Sequence, residues 1–248
     1  MNDTHVIILA GGKGTRMKCD TPKCLTMLGD KPFLERVLSS CSFITKQPTV
    51  IIGYKGDEVV KTIGNGPEYV LQEEQLGTGH AVGCAKESVA PRGYKYIMVL
   101  MGDQPLVSEA TLHGLLESHM KADAVITAST IVVPNFENEY APFLRFGRIL
   151  RGEDGSIVGN IEYKDATEEQ RQELHEVGIN TFIFDADFLW SHVGMLSDDN
   201  AAGELYVTDF LGMAFREGKK VAPFVVADIK EALGVNSLED LEIAKKFI

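Results

Sequence analysis

Residues 5–23, HVIILAGGKGTRMKCDTPK, carry the densest chemical signal in this chain of 248 residues. Residues 5–10 are an apolar, β-branched run too short for a helix, and they predict a buried strand. The run ends in Gly11, Gly12, Lys13, Gly14, Thr15 and Arg16. Glycines allow a sharp bend and bring backbone N–H groups close to a ligand. Successive N–H groups in such a turn form an anion-binding concavity, and Lys13, Arg16 and Lys23 add positive charge beside it. A phosphate chain is the expected occupant. Neither common fingerprint fits: Met17 stands where G-x-G-x-x-G needs its third glycine, and Gly14 follows Gly12-Lys13 where the P-loop needs Ser or Thr.

Two further stretches suit a nucleotide. In 72–81 (QEEQLGTGHA) the Gln72 and Gln75 amides, the Thr78 hydroxyl and the small Gly77 can read a base edge, since an amide both donates and accepts. The plain alternative is a polar loop with Thr78 capping the next helix. In 102–106 (GDQPL) Asp103 ends the most apolar run of the chain. A carboxylate there suits Mg²⁺, which keeps most of its waters and takes one or two protein oxygens plus phosphates; the alternative is a cap for the next helix. The histidines, 5, 80, 113, 119, 175 and 192, show no catalytic spacing and read as helix-surface or core-edge residues. Phosphoryl and nucleotidyl transfer need no protein nucleophile.

The elements that must position these groups follow from periodicity. Strands are expected at 5–10, 49–53, 68–72, 95–101, 124–133, 146–150, 157–162, 176–184 and 221–226. Helices are expected from 31, at 57–63, 79–90, 108–121, 164–174, 185–196, 204–217 and 237–247, the last capped by Ser237 with Asp240 at its third position. Strands alternating with helices imply βαβ units and a largely parallel sheet covered on both faces. Ligands of such sheets gather beyond the carboxyl ends of the strands, where the loop after residue 10, the 72–78 loop and Gly102-Asp103 all fall.

Composition narrows the class. A net charge of −12 offers no global basic field for nucleic acid or an anionic membrane. No apolar run reaches membrane-spanning length and no signal pattern opens the chain. Cys19, Cys24, Cys41 and Cys84 form neither a CxxC pair nor a zinc spacing, and are read as reduced thiols of a cytoplasmic protein. Length and the lack of repeats or linkers suggest a single domain over 1–248, with a nucleotide-binding half of about 1–122 and an acceptor half of about 123–248.

Taken together, the motifs resemble a family. G-x-G-T-R followed by P-K (12–16 and 22–23) is similar to the signature of sugar-nucleotide pyrophosphorylases. LAGGKGTRM (9–17), TPKCL (21–25), LQEEQLGTGHA (71–81), GDQPL (102–106), FGRI (146–149), EYKDATEEQ (162–170), INTFIF (179–184), NAAGELYVTD (200–209) and GVNS (234–237) extend the likeness over nearly the whole chain. They resemble the uridylyltransferase domain of bifunctional N-acetylglucosamine-1-phosphate uridylyltransferase/glucosamine-1-phosphate acetyltransferase. That resemblance implies a Rossmann-like three-layer α/β/α fold with a predominantly parallel mixed sheet. It implies UTP and N-acetylglucosamine 1-phosphate as substrates, and Mg²⁺ on Asp103 and Asn236. Leu9, Ala10, Gly11, Gly12, Lys13, Gly14 and Thr15 would hold the nucleotide, with Gln72, Gln75, Gly77 and Thr78 around the uracil. Arg16, Lys23 and Asp103 would be catalytic, and Gly147, Glu162, Asn180 and Tyr206 would take the sugar phosphate.

Two departures stand out. No hexapeptide periodicity of the family's left-handed β-helix occurs, so neither acetyl transfer nor the usual trimer contact is expected, and a monomer or weak oligomer is. Met101 stands where the family usually has Tyr, which bears on sugar binding. A molybdopterin cytidylyl- or guanylyltransferase-like enzyme would also suit LAGGxxxRM and GDQPLVS, though not GKGTR, QLGTGHA or the KDAT stretch. A nucleotide-binding regulator without turnover is the reading outside enzymes, and the presence of Arg16, Lys23, Asp103 and Asn236 stands against it.

Overall fold

Six consecutive buried residues set the first strand, β1 (Thr4–Leu9). The computed structural model describes residues 3–17 and 20–248, so Cys19 lies outside the described residues. The strands that follow are β2 (Met27–Leu28), β3 (Lys31–Pro32), β4 (Thr49–Ile52), β5 (Glu68–Leu71), β6 (Tyr96–Met101), β7 (Ile126–Val132), β8 (Arg148–Arg151), β9 (Ile157–Ile161), β10 (Glu176–Asp185) and β11 (Val221–Val225). The helices are α1 (Phe33–Ser40), α2 (Gly56–Ile63), α3 (Thr78–Cys84), α4 (Lys86–Val89), α5 (Glu109–Ala122), α6 (Glu168–Glu173), α7 (Ala186–His192), α8 (Asp209–Arg216) and α9 (Leu238–Ala244).

The main sheet runs β11-β7-β10-β6-β1-β4-β5, with the β8–β9 hairpin attached to β10. β1, β4, β5 and β6 are mutually parallel where they pair, and β11 is parallel to β7. β10 is the exception, antiparallel to both β6 and β7. The predominantly parallel mixed sheet that was expected is present as a mixed, partly parallel one, the β8–β9 hairpin also pairing antiparallel.

Alternation along the strands sends side chains to two cores. Ile7, Leu9, Ile97 and Val99 pack with Val82 of α3, Leu189 of α7 and Phe210 of α8. Val6, Ile8, Met98 and Leu100 pack with Leu34 of α1, Val59 of α2 and Leu112 of α5. Period-2 alternation between two apolar layers is what a sheet covered on both faces requires. The layering is α/β/α.

Several expected helices are shorter than their patterns. The 79–90 stretch is split into α3 and α4, followed by a 3₁₀ turn, Ala90–Arg92, that contains Pro91. The 164–174 helix begins only at Glu168, because Thr167 and Gln170 form a capping box that fixes the start there. The 204–217 helix begins at Asp209; residues 204–207 are held instead by the 76–79 loop, as described below. Lys31 does not open α1: it pairs with Leu28 in the β2–β3 hairpin, and Pro32 is the cap residue. A 3₁₀ segment, Asn138–Arg145, has no periodic signal and was not expected.

Two histidines lie deeper than their sequence context implied. His5 and His119 are each 1% exposed. His5 Nε2 lies 2.9 Å from Thr49 Oγ1, and His119 Nδ1 lies 2.8 Å from Thr127 Oγ1. Burial pulls both pKa values down from 6.5 to about 4. The fold thus keeps them neutral while the unfolded chain protonates them, so their contribution is full above pH 6.5 and lost as pH falls toward 4. His119→Gln should flatten the pH dependence of stability in that interval by about 3 kcal/mol. Urea melts of both proteins at pH 7 and pH 4.5 test this; an unchanged difference between the two pH values would contradict it.

Candidate active site

The parallel strands β1, β4, β5 and β6 end on one edge, and their following loops meet there. Hydrogen bonds stitch the loops together: Ala10 N to Ile51 O (2.9 Å), Gly102 N to Leu9 O (2.9 Å) and Gln72 N to Ile52 O (2.8 Å). A cavity of about 260 Å³ opens between them. Leu9, Ala10, Gly11, Gly12 and Lys23 line it from one side, and Gln72, Gln75, Gly77 and Thr78 from the other. Of the glycines in the first loop only Gly14 has a positive φ (64°), and a Cβ there would stand 2.8 Å from Lys23 Cβ. Gly12 is exposed on the cavity and faces nothing within 4 Å, which leaves its backbone open to a ligand. Lys13 and Thr15 are exposed outside this cavity, with the Lys13 ammonium 5.2 Å from the centroid of the Tyr54 ring.

The 72–78 loop is built by a contact that sequence periodicity hid. Gly77 has φ 113°, and a Cβ on it would come within 2.8 Å of Leu205 N. That bare backbone lets residues 204–207 lie against it: Leu205 N donates to Leu76 O (2.8 Å), and Gly79 N donates to Leu205 O (2.7 Å). Thr78 does not cap α3. Its Oγ1 accepts from Val207 N (3.0 Å) instead, and Gly77 takes the cap position. Buried Gln72 is fixed by Nε2, which donates to Gly77 O (3.1 Å) and lies 3.1 Å from His80 Nδ1. Gln75 Nε2 donates to Gln72 O (3.1 Å). The same stitching brings Glu204, which the sequence had not singled out, into the cavity wall.

A second cavity of about 640 Å³ adjoins the first, and Met101 and Asp103 line both. At the junction the Lys23 ammonium meets the Asp103 carboxylate and donates to Asn236 Oδ1 (2.7 Å). Arg16 donates to the same amide oxygen (2.9 Å). Asn236 is aimed by its own Nδ2, which donates to Gly234 O (3.0 Å), and by the capping box of Ser237 and Asp240 at the start of α9. Val235 N donates to Asp103 O (2.9 Å), tying the two strand-end segments together. One carboxylate and one amide oxygen thus face a single cation position. That hard-oxygen pair fits Mg²⁺ when phosphates and water complete its shell.

The second cavity gathers Gly147, Glu162 and Asn180 with Arg16, Gln104, Arg145 and Phe146. Asn180 lies at mid-strand, not at a strand end. Register shifts between Gly178 and Phe182, and Asn180 adopts φ 55°. Asn tolerates that left-handed backbone better than most residues, and a bulge of this kind re-aims a side chain. Because β10 runs antiparallel to β6, its first half reaches the edge where the loops meet. Glu162 is not paired with Lys164 on a surface hairpin. Its Oε1 accepts from Asn160 Nδ2 (2.9 Å) and Thr208 Oγ1 (2.8 Å). Loss of water raises its pKa above the ordinary carboxylate value, with Asp209 adding repulsion. A Cβ on Gly147 would stand 2.7 Å from Asn160 Oδ1, so the space this glycine leaves is filled by Asn160. Tyr206 lines neither cavity; burial, with Asp165 and Glu162 nearby, pushes its phenol up to about 12.

Arg145 ends the unexpected 3₁₀ segment and Phe146 is its cap residue; Phe146 lies in the FGRI stretch quoted above, but nothing in the spacing marked either as lining a site. That segment is clamped by Arg148, a fully buried guanidinium donating to Leu144 O (3.0 Å), Phe146 O (2.5 Å) and Arg171 O (3.0 Å). Glu204 and Gln104 lie inside motifs quoted above, but nothing in their spacing marked them.

The chain is similar in sequence to known proteins. Residues 6–171 match the model of the MobA-like NTP transferase domain. The chain is 39% identical over 243 residues to the bifunctional protein GlmU of Streptococcus uberis, covering 97% of this chain and 51% of that protein. It is 38% identical over 231 residues to that of Lactococcus lactis subsp. lactis, covering 93% and 48%. With that of Brevibacillus brevis it shares 35% over 250 residues, covering 100% and 52%. The chain thus spans about half the length of these relatives. It belongs to the family of MobA-like NTP transferase domains and is a nucleotidyltransferase related to the uridylyltransferase part of GlmU.

Proposed function

We propose that this enzyme joins UTP to N-acetylglucosamine 1-phosphate, giving UDP-N-acetylglucosamine and pyrophosphate. One observation carries the reading: two cavities, one walled by amides and open glycine backbone and one by a carboxylate and an amide, meet at Asp103, Lys23 and Arg16. A bond formed between ligands in the two cavities would form at that junction.

In this reading residues 9–15 cradle the triphosphate while Gln72, Gln75, Gly77 and Thr78 read the base. Glu162 and Asn180 orient the sugar hydroxyl and amide groups, with Gly147 in the wall and Tyr206 behind Glu162. Lys23 and Arg16 hold the phosphates so that an oxygen of the sugar phosphate approaches the α-phosphorus in line with departing pyrophosphate. Mg²⁺, held by Asp103 and Asn236, would supply charge neutralisation across the phosphates. No protein nucleophile takes part.

The same reading treats 1–248 as one catalytic unit, each cavity drawing on both halves of the chain. A cytoplasmic setting, action as a monomer or weak oligomer, and no nucleic-acid or membrane partner belong to it. Cys24, Cys41 and Cys84 are free thiols, and burial pushes those of Cys24 and Cys41 up to about 12. Among the described residues no helix is long and apolar enough to cross a membrane.

Pyrophosphate release measured for UTP, CTP, GTP and ATP against several sugar 1-phosphates tests the reaction. UTP with N-acetylglucosamine 1-phosphate should be the best pair, with glucosamine and glucose 1-phosphates poor acceptors. Uracil and cytosine present opposite donor–acceptor edges, so CTP should be disfavoured by ~2–5 kcal/mol. Equal use of CTP would reject the base assignment and favour the molybdopterin-type reaction. Asp103→Ala should lower turnover on the order of a hundred-fold at ordinary Mg²⁺; near-normal turnover would remove it from the site.

Glu162→Gln separates sugar binding from fold. It should raise KM for the sugar phosphate while leaving KM for UTP unchanged, as read from initial rates. Because burial raises the Glu162 pKa, the folded state disfavours its ionisation; that cost is absent at low pH and grows as pH rises through the shifted value. The Gln variant should therefore gain Tm relative to the parent between acid and neutral pH. A rise in KM for UTP instead would place Glu162 in the other cavity.

A further inference from the structure

The bulge that presents Asn180 cannot satisfy its own backbone. Gly178 pairs with Thr130 and Phe182 with Ala128, so residues 179–181 of β10 stand opposite Ser129 alone. Their carbonyls lose regular ladder partners in a region where Ile179 is 3% and Thr181 3% exposed. A buried carbonyl without a partner is costly, so side chains must supply the missing donors. Two do. Ser129 Oγ donates to Thr181 O (2.5 Å), and Gln104 Nε2 donates to Ile179 O, the carbonyl immediately before Asn180.

Gln104 does more than fill one vacancy. It is 4% exposed, and its other amide atom, Oε1, accepts from Thr181 Oγ1 (3.1 Å). One side chain therefore grips the residues on both sides of Asn180. It also lines the acceptor cavity and directly follows Asp103, whose backbone and carboxylate are fixed by Val235 and Lys23. The residue thus links the chain just after β6 to the bulge of β10.

We infer that Gln104 is a positioning residue for the acceptor subsite, acting through Asn180 by holding the bulge that turns its amide into the cavity. The inference rests on the reading of that cavity as the sugar-phosphate site. Gln104→Met keeps the length and apolar packing of the stem but removes both hydrogen bonds. The bulge is then free to relax toward regular pairing, which turns Asn180 away.

The experiment is a double-mutant cycle on the intact protein, read as KM for N-acetylglucosamine 1-phosphate, KM for UTP, kcat and Tm. Gln104→Met should raise the acceptor KM about ten-fold, the scale of one lost buried hydrogen bond, with the UTP KM within about two-fold of the parent. Asn180→Gly keeps the left-handed backbone without the amide and should itself raise the acceptor KM. In that background Gln104→Met should add less than about two-fold, since the group it positions is gone. Should Gln104→Met fail to fold, Thr181→Val removes only the hydroxyl partner and should show a smaller rise with the same dependence on Asn180. Equal effects of Gln104→Met in both backgrounds, or a parallel rise in UTP KM, would overturn the role of Gln104 alone. An unchanged acceptor KM in Asn180→Gly would overturn the acceptor-site reading and this inference with it.

Discussion

A half-buried lysine facing a carboxylate and an amide oxygen is the constraint around which the site is arranged. Lys23, Asp103 and Asn236 come from the first loop, the end of β6 and the approach to α9, and converge only in the fold. In a chain of net charge −12, positive charge must be concentrated locally to receive phosphates. Two cations meet at Asn236 Oδ1 alone, Lys23 and Arg16. The oxygens hold the cations in place before a ligand arrives, so little reorganisation is left to the moment of reaction.

Around that point the walls are made by backbone stitched to distant backbone. The Gly77 turn accepts residues 204–207 in place of a helical turn, which joins the 72–78 loop to the strap behind Glu162. Thr208, at the end of that strap, then donates to Glu162. A displacement of either loop would be felt in both cavities. The binding of one substrate and the shaping of the other's site share these bonds.

The sheet, its order of strands and helices, and the loops gathered on one edge were legible because they rest on periodicity and glycine placement. The strand at Thr4–Leu9 and the cap at Ser237 followed from local chemistry alone. What escaped was set by tertiary hydrogen bonds. Residues 204–208 carry a helical pattern, yet the N–H groups of Leu205 and Val207 go to Leu76 and Thr78. His119 sits in a helix pattern compatible with the surface, and only packing against Tyr96 and Thr127 places it inside. The bulge at Asn180 and the buried Arg148 leave no trace in spacing. Likewise nothing in the spacing shows that Asn160 fills the space beside Gly147.

The reversed direction of β10 has a consequence for how such enzymes diversify. The loops after β1, β5 and β6 that line the first cavity follow strands that run one way, while Asn180 of the second cavity sits on a strand running the other way and Gly147 and Glu162 flank the hairpin attached to it. Substitutions in that counter-running section change the wall of the second cavity, while the loops after β1, β5 and β6 stay on their own strands. The two walls can thus vary separately in sequence, although Gln104 still ties the bulge of β10 to the end of β6.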